Sequence, residues 1–93
     1  MIARQLFFSG HVQGVGFRYS TLRIAQGYPI SGFVRNLSDG RVELQIKGAE
    51  EDISALINHI RTESRLADHI RSIETNELEV SALDEHDTFK ISS

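Results

Sequence analysis

The 93-residue chain contains no cysteine. That absence removes disulfides, thiolate metal sites and a cysteine nucleophile together, and it fits a reducing compartment. No apolar run approaches the ~20 residues that a membrane-spanning helix needs. The opening residues, MIARQLFFSGH, turn polar too soon for a signal peptide. A cytoplasmic setting with no membrane partner is therefore expected. Proline occurs once and glycine seven times, too little for a flexible low-complexity segment. No repeat or linker divides the sequence, and a single domain over residues 1–93 is expected. A chain of this size buries roughly 60–65% of its unfolded surface, enough for one modest core.

A dense Lys/Arg stripe is also missing, so nucleic acid is not expected as a partner. The net charge of −3 hides an asymmetry. Residues 1–49 carry five Arg and one Lys against Asp39 and Glu43, a balance of +4. Residues 50–93 carry Arg61, Arg65, Arg71 and Lys90 against eleven acids, a balance of −7. Either the halves of one fold differ without consequence, or the first half holds an anion site.

What is present is clear periodicity. Ile2, Leu6, Phe8 and Val12 share one parity, the mark of a half-buried strand. A glycine-rich turn follows, and from Phe17 the pattern becomes helical, with Leu22, Ala25 and Tyr28 near one stripe. Gly27 and Pro29 end that helix. ISGFVRNL reads as a second strand and RVELQIK as a third, joined by the tight-turn signal SDGR. Val42, Leu44 and Ile46 point inward, while Glu43, Gln45 and Lys47 point outward. Residues 30–47 are thus a predicted hairpin. EEDISALINHIR follows as an amphipathic helix, with Ile53, Leu56, Ile57 and Ile60 on one face. Three acids crowd its first turn, where the helix dipole favours them. HIRSIETNELEV is a weaker strand in which Ile70 and Ile73 break the alternation, as a bulge or late start would. DTFKIS is a short last strand. The order β-α-β-β-α-β, plus a short extra strand, predicts an α+β ferredoxin-like (split βαβ) sandwich. Its antiparallel sheet carries both helices on one face.

The stretch GHVQGVGFR, residues 10–18, carries the chemistry. Glycine permits positive φ and close approach of backbone to a ligand. Successive N–H groups can then converge into an anion nest, and a helix starting after the loop adds its own free N–H groups. Arg18 at that helix start can grip a phosphate with two parallel hydrogen bonds. The stretch is not a P-loop, because no Gly-Lys-Ser/Thr follows. It is not a dinucleotide fingerprint either, because Tyr19 stands where the third glycine belongs. A plain strand-to-helix turn uses the same glycines.

Beyond the loop, SGFVRNLSDGRVE follows after one helix. Together the two stretches resemble the acylphosphatase family. The shared elements are Val12-Gln13-Gly14-Val15, Phe17-Arg18, Gly32-Phe33-Val34, Asn36, Asp39-Gly40 and Val42-Glu43. The resemblance implies a metal-independent hydrolase of acyl phosphates with no cofactor, its partner a small-molecule acyl phosphate. By motif position Arg18 would bind the phosphoryl group and Asn36 would place the attacking water. Gln13, Gly14, Val15, Gly16 and Phe17 would form the substrate-binding loop, with Gln13 bracing it. A monomer is expected. Two departures from the family pattern, Gly48-Ala49 and TESRLAD, lie away from these residues.

Other candidates are weaker. His11 lies beside the loop, but this chemistry needs no base of its kind and an exposed strand-end histidine is the simpler reading. His59, His69 and His86 have no metal-ligand spacing. Arg35 lies on the opposite strand face from Asn36 and reads as surface charge. Asp84, Glu85 and Asp87 form a solvated acidic turn. Two rival functions share the fold: a nucleic-acid or metabolite binder, and an accessory domain of larger carbamoyl-transfer proteins. The first would show exposed aromatics, with Phe7 and Phe33 the candidates, on a basic platform. The second would sit within a longer chain.

Overall fold

A computed structural model describes residues 1–62 and 64–92. Strand β1 (Ile2–Gly10) leads through the glycine loop into helix α1 (Phe17–Ala25). Strands β2 (Ser31–Asn36) and β3 (Val42–Gly48) form the expected hairpin, followed by α2 (Glu50–Thr62). A short α3 (Ser64–Ala67), strand β4 (Ile70–Leu78), a 3₁₀ turn (Val80–Leu83) and β5 (Phe89–Ile91) complete the order. Within TESRLAD, Glu63 lies outside the described residues.

The five strands lie in the order β4-β1-β3-β2-β5. Four pair antiparallel, as the periodicity predicts. β5 differs: it pairs parallel to β2 at the sheet edge, so the sheet is mixed. The bulge expected near Ile70 is also found. Gly10 pairs with Ile70 and Ser9 with Ser72, which leaves Arg71 as the extra residue. That extra residue lets Ile70 and Ile73 both pack against the core.

One face of the sheet carries the core. Leu6, Phe8, Val34, Val42, Leu44 and Ile46 meet Phe17 and Ala25 of α1 and Ile53, Leu56 and Ile60 of α2. Both helices therefore cover the same face. The α1 stripe is not the predicted one: Phe17, Thr21 and Ala25 are its buried positions, and Leu22 is only half-buried. The rotation follows from the start of the helix, where Phe17 packs its ring 5.1 Å from Phe8 and sets the phase of every later turn.

The other face holds a second surprise. Glu43 points outward by parity, as predicted, yet is only 2% exposed. Gln5 and Gln45 each donate to it at 2.7 Å, and Arg35 Nε does the same. Arg35 is accordingly the partner of a buried carboxylate rather than free surface charge. Burial pushes the Glu43 carboxyl up, but donation from Gln45, Gln5 and Arg35 outweighs it and holds the group below its ordinary value. A depressed carboxylate contributes stability above the unfolded pKa, and that stability is lost as pH falls through the folded one. Glu43→Gln should therefore lower stability by about 1.5–3 kcal/mol near neutral pH. The deficit should shrink in acid, below about pH 4. Urea midpoints of both proteins at pH 7 and in acid check this; a constant gap would contradict it.

Candidate active site

The loop between β1 and α1 is built by backbone sign alternation. Gly14 and Gly16 have φ of 77° and 79°, and among the described residues no non-glycine residue has positive φ. From Gln13 to Phe17 the sign of φ therefore alternates, which is how a nest turns consecutive N–H groups to one side. A Cβ built on either glycine would meet nothing within 4 Å. Glycine is required there by conformation, not by space. Among the described residues, none of the backbone N–H groups from Gly14 to Tyr19 has a protein acceptor; the first to find one is that of Ser20, bonded to Gly16 O.

The loop is anchored on both sides of this row. The Gln13 side-chain amide donates to Leu37 O at 2.7 Å and to Arg41 O at 2.9 Å. Both of its hydrogens are engaged, so the loop is tied to the β2–β3 turn. Val15 packs its side chain against the core, and Phe17 is 1% exposed. Only the N–H groups of these two residues are left to face a ligand.

Helix α1 breaks the usual rules at its start. Its N-cap, Gly16, supplies no side-chain hydrogen bond, and its first turn holds no acid. The second helical residue is instead a cation, Arg18, which the positive end of the dipole disfavours. Arg18 is half-buried and has no ion pair among the described residues, whereas Arg4, Arg35 and Arg41 each have one. An uncapped helix end, an unpaired guanidinium and a row of free N–H groups lie in consecutive residues. All three are relieved by one anion.

Asn36 ends β2 at the same edge of the sheet. Phe8 pairs with Val42, and Val42 pairs with Asn36, so the three form one row across β1, β3 and β2. Phe17 rests on the first member of that row. The start of α1 and the end of β2 are thereby brought to one end of the sheet. Asn36 shares the parity of Val34, on the helix-covered side, and its Oδ1 is buried without a partner.

Other features stand apart. A cavity of about 500 Å³, lined in part by Ser20, Arg23, Tyr28 and His59, contains neither Arg18 nor Asn36. Helical spacing places Ser20 and Arg23 on the flank of α1 opposite Arg18. His11 is exposed, its ring 5.8 Å from that of His69, and among the described residues no group of three metal-ligating side chains occurs. On the outward face Phe7 and Phe33 are half-buried, under Arg41 and beside Arg35 respectively. Phe7 pairs with Glu43 and Phe33 with Gln45, so a carboxylate occupies the ground between the two rings. One residue escaped the sequence reading. Thr21 is a fully buried hydroxyl on α1 whose Oγ1 has no partner. Its signal was a polar residue four positions after Phe17 and four before Ala25, within an otherwise apolar stripe.

Comparison with known proteins bears on this geometry. The acylphosphatase family profile matches residues 4–91. An acylphosphatase of Archaeoglobus fulgidus is 40% identical over 80 residues, covering 86% of this chain and 89% of its own length. One from Caldanaerobacter subterraneus is 48% identical over 62 residues, covering 67% and 69%. The crystal structure of acylphosphatase from Bacillus subtilis has a TM-score of 0.81 at 28% identity and covers both chains fully. The chain also aligns over 99% of its length with 12% of a full-length HypF, crystallised in a phosphate- and nucleotide-bound form, at 39% identity and a TM-score of 0.87. The motif spacing, the family profile and the fold point the same way over nearly the whole length: the chain belongs to the acylphosphatase family.

Proposed function

We propose that Arg18 and the backbone N–H groups of Gly14–Arg18 hold the phosphoryl group of an acyl phosphate, and that Asn36 orients the water that attacks it. Membership of the family makes the protein a hydrolase of carboxylic–phosphoric anhydrides. The residue roles are the reading advanced here. The observation that carries it is the run of unpaired N–H groups leading into an uncapped helix whose first turn bears an unpaired arginine.

The chemistry asks little beyond this. Water oxygen forms a bond to phosphorus as the bond from phosphorus to the acyl oxygen breaks. Carboxylate leaves, and the water's proton ends on a phosphate oxygen. Carboxylate is stable without protonation, so no general acid is needed. Charge on the equatorial oxygens is met by the guanidinium fork and the loop N–H groups, and positioning supplies the remainder. Asn36 is a poor base, but its amide oxygen can accept from water and fix its line of attack. We place the protein in the cytoplasm, where it works as a monomer. The absence of cysteine supports the first, and the few exposed large apolar side chains, Met1, Tyr19 and Ile91, support the second.

Hydrolysis of benzoyl phosphate in EDTA tests the reading. Turnover should persist, with inorganic phosphate as a competitive inhibitor. Phosphate binding without turnover would replace the enzyme by a non-catalytic anion-binding module. Turnover abolished by EDTA would overturn the metal-independent chemistry.

A further inference from the structure

The flank of α1 that faces away from Arg18 lines the cavity of about 500 Å³. Small-molecule sites occupy roughly 300–1,000 Å³. Arg23 enters the lining from α1, His59 from α2 and Arg65 from α3, so three helices meet around one space. Among the described residues no acid lines it. Arg4, Arg35 and Arg41 each pair with a carboxylate, but neither Arg23 nor Arg65 pairs with any described one. The helix dipole accounts for a cation in the last turn of α1, and so for Arg23 alone. It does not account for a second unpaired guanidinium brought to the same cavity from another helix.

The rest of the lining is shaped rather than loose. The Tyr28 hydroxyl and His59 Nδ1 share a hydrogen bond of 3.2 Å, and their rings meet edge-on with centroids 6.2 Å apart. Tyr28 and Ile24 also pack against the core, which fixes them as an apolar wall. Gly27 completes the opening. Its φ is not positive, and a Cβ built there would meet one atom within 4 Å, Ile24 O at 3.4 Å. Neither conformation nor crowding requires glycine at this position, and its bareness leaves the cavity open.

We propose that this cavity is a second anion site, taking a small organic dianion (a phosphate monoester or a dicarboxylate) carried on a flat apolar body. The guanidinium forks of Arg23 and Arg65 hold the charged end. Ile24 and the Tyr28 ring hold the body. The site is separate from the glycine loop, since neither Arg18 nor Asn36 lines it, and it does not depend on the roles proposed for those residues. A ligand held by residues of three helices stabilises the folded chain by linkage.

Phenyl phosphate and phthalate, titrated into the native protein and followed by backbone amide NMR, test the proposal. At least one of them should move the signals of Ser20, Arg23, Gly27, His59 and Arg65 together, with a Kd of about 1 mM or tighter. Which probe binds decides between a phosphate and a dicarboxylate. Inorganic phosphate, which has no apolar body, should bind there about 10-fold more weakly or not at all. Arg23→Ala/Arg65→Ala should weaken the organic probe by about 10-fold or more. Gly27→Leu keeps both charges and puts a side chain at the opening, and it should weaken the probe by about as much. That second variant separates a shaped site from loose attraction to two arginines. All three positions are exposed, so melting temperatures without ligand and hydrolysis of benzoyl phosphate should stay near native in both variants. Cavity signals unmoved by either probe at about 10 mM would overturn the proposal. So would equal binding of inorganic phosphate, or native binding in either variant. Loop signals from Gly14 to Arg18 that ignore phosphate would instead overturn the phosphate-binding role of the loop, with the cavity signals still deciding this one.

Discussion

Arg18→Ala should lower kcat/KM for benzoyl phosphate by about a thousandfold or more while leaving the protein no less stable. The two effects have one origin. Arg18 lies in the first turn of an uncapped helix with no acid beside it. In the free protein the guanidinium opposes the helix dipole, and replacing it with alanine relieves about 0.3–1 kcal/mol. When a phosphoryl group is bound, the same guanidinium becomes the largest counter-charge in the site. Arg18→Lys should fall between native and alanine, because an ammonium keeps the charge but not the planar fork. Phosphate should raise the melting temperature of the native protein through linkage, and that rise should nearly vanish in Arg18→Ala. Kinetics and melting curves with and without phosphate check all of this. A variant that is both active and stable would remove Arg18 from the site, and one that is inactive because it unfolds would make the residue structural.

Asn36→Ala should show the opposite separation between binding and rate. Expected is a fall in kcat of about 100-fold or more with the inhibition constant for inorganic phosphate unchanged. The phosphate contacts are assigned to the loop and Arg18, and Asn36 to the water alone. Stability should move by less than about 0.5 kcal/mol, since Oδ1 makes no hydrogen bond that the change would break. Steady-state kinetics with phosphate as inhibitor decides. Weaker phosphate binding in step with slower turnover would mean that Asn36 holds the anion as well.

How much of this could be read before the fold was known differs from element to element. The hairpin was open to inspection because Val42, Leu44 and Ile46 alternate strictly and Asp39-Gly40 marks the turn; β2 and β3 fall where that pattern puts them. The placing of Arg18 and Asn36 at one end of the sheet was also legible as a candidate site, one as the cation after a glycine loop, the other by its motif. Thr21 was not. The apolar stripe of α1 was drawn through Leu22, and its true phase depends on a tertiary contact between Phe17 and Phe8. Glu43 was read correctly for direction and wrongly for exposure. Its burial depends on Gln5, 38 positions earlier in the chain, and such a neighbour leaves no local trace. The parallel pairing of β5 was hidden for a similar reason: three residues are too few for a period, and their partner strand lies more than fifty positions earlier. Short helices such as α3 carry no signal of their own.

The open space around Gly14 and Gly16 has a consequence for the handedness of the loop. Bulk is tolerated there, since a Cβ would touch nothing, and only the sign of φ excludes it. The loop therefore selects against left-handed amino acids as such, not against side chains. Two mirror-image positions alternate there with ordinary ones, and the backbone sign at either glycine suits a D-residue where it does not suit its natural counterpart. The proposed phosphate cradle is thus a place where stereochemistry, rather than size or polarity, sets what the sequence can contain.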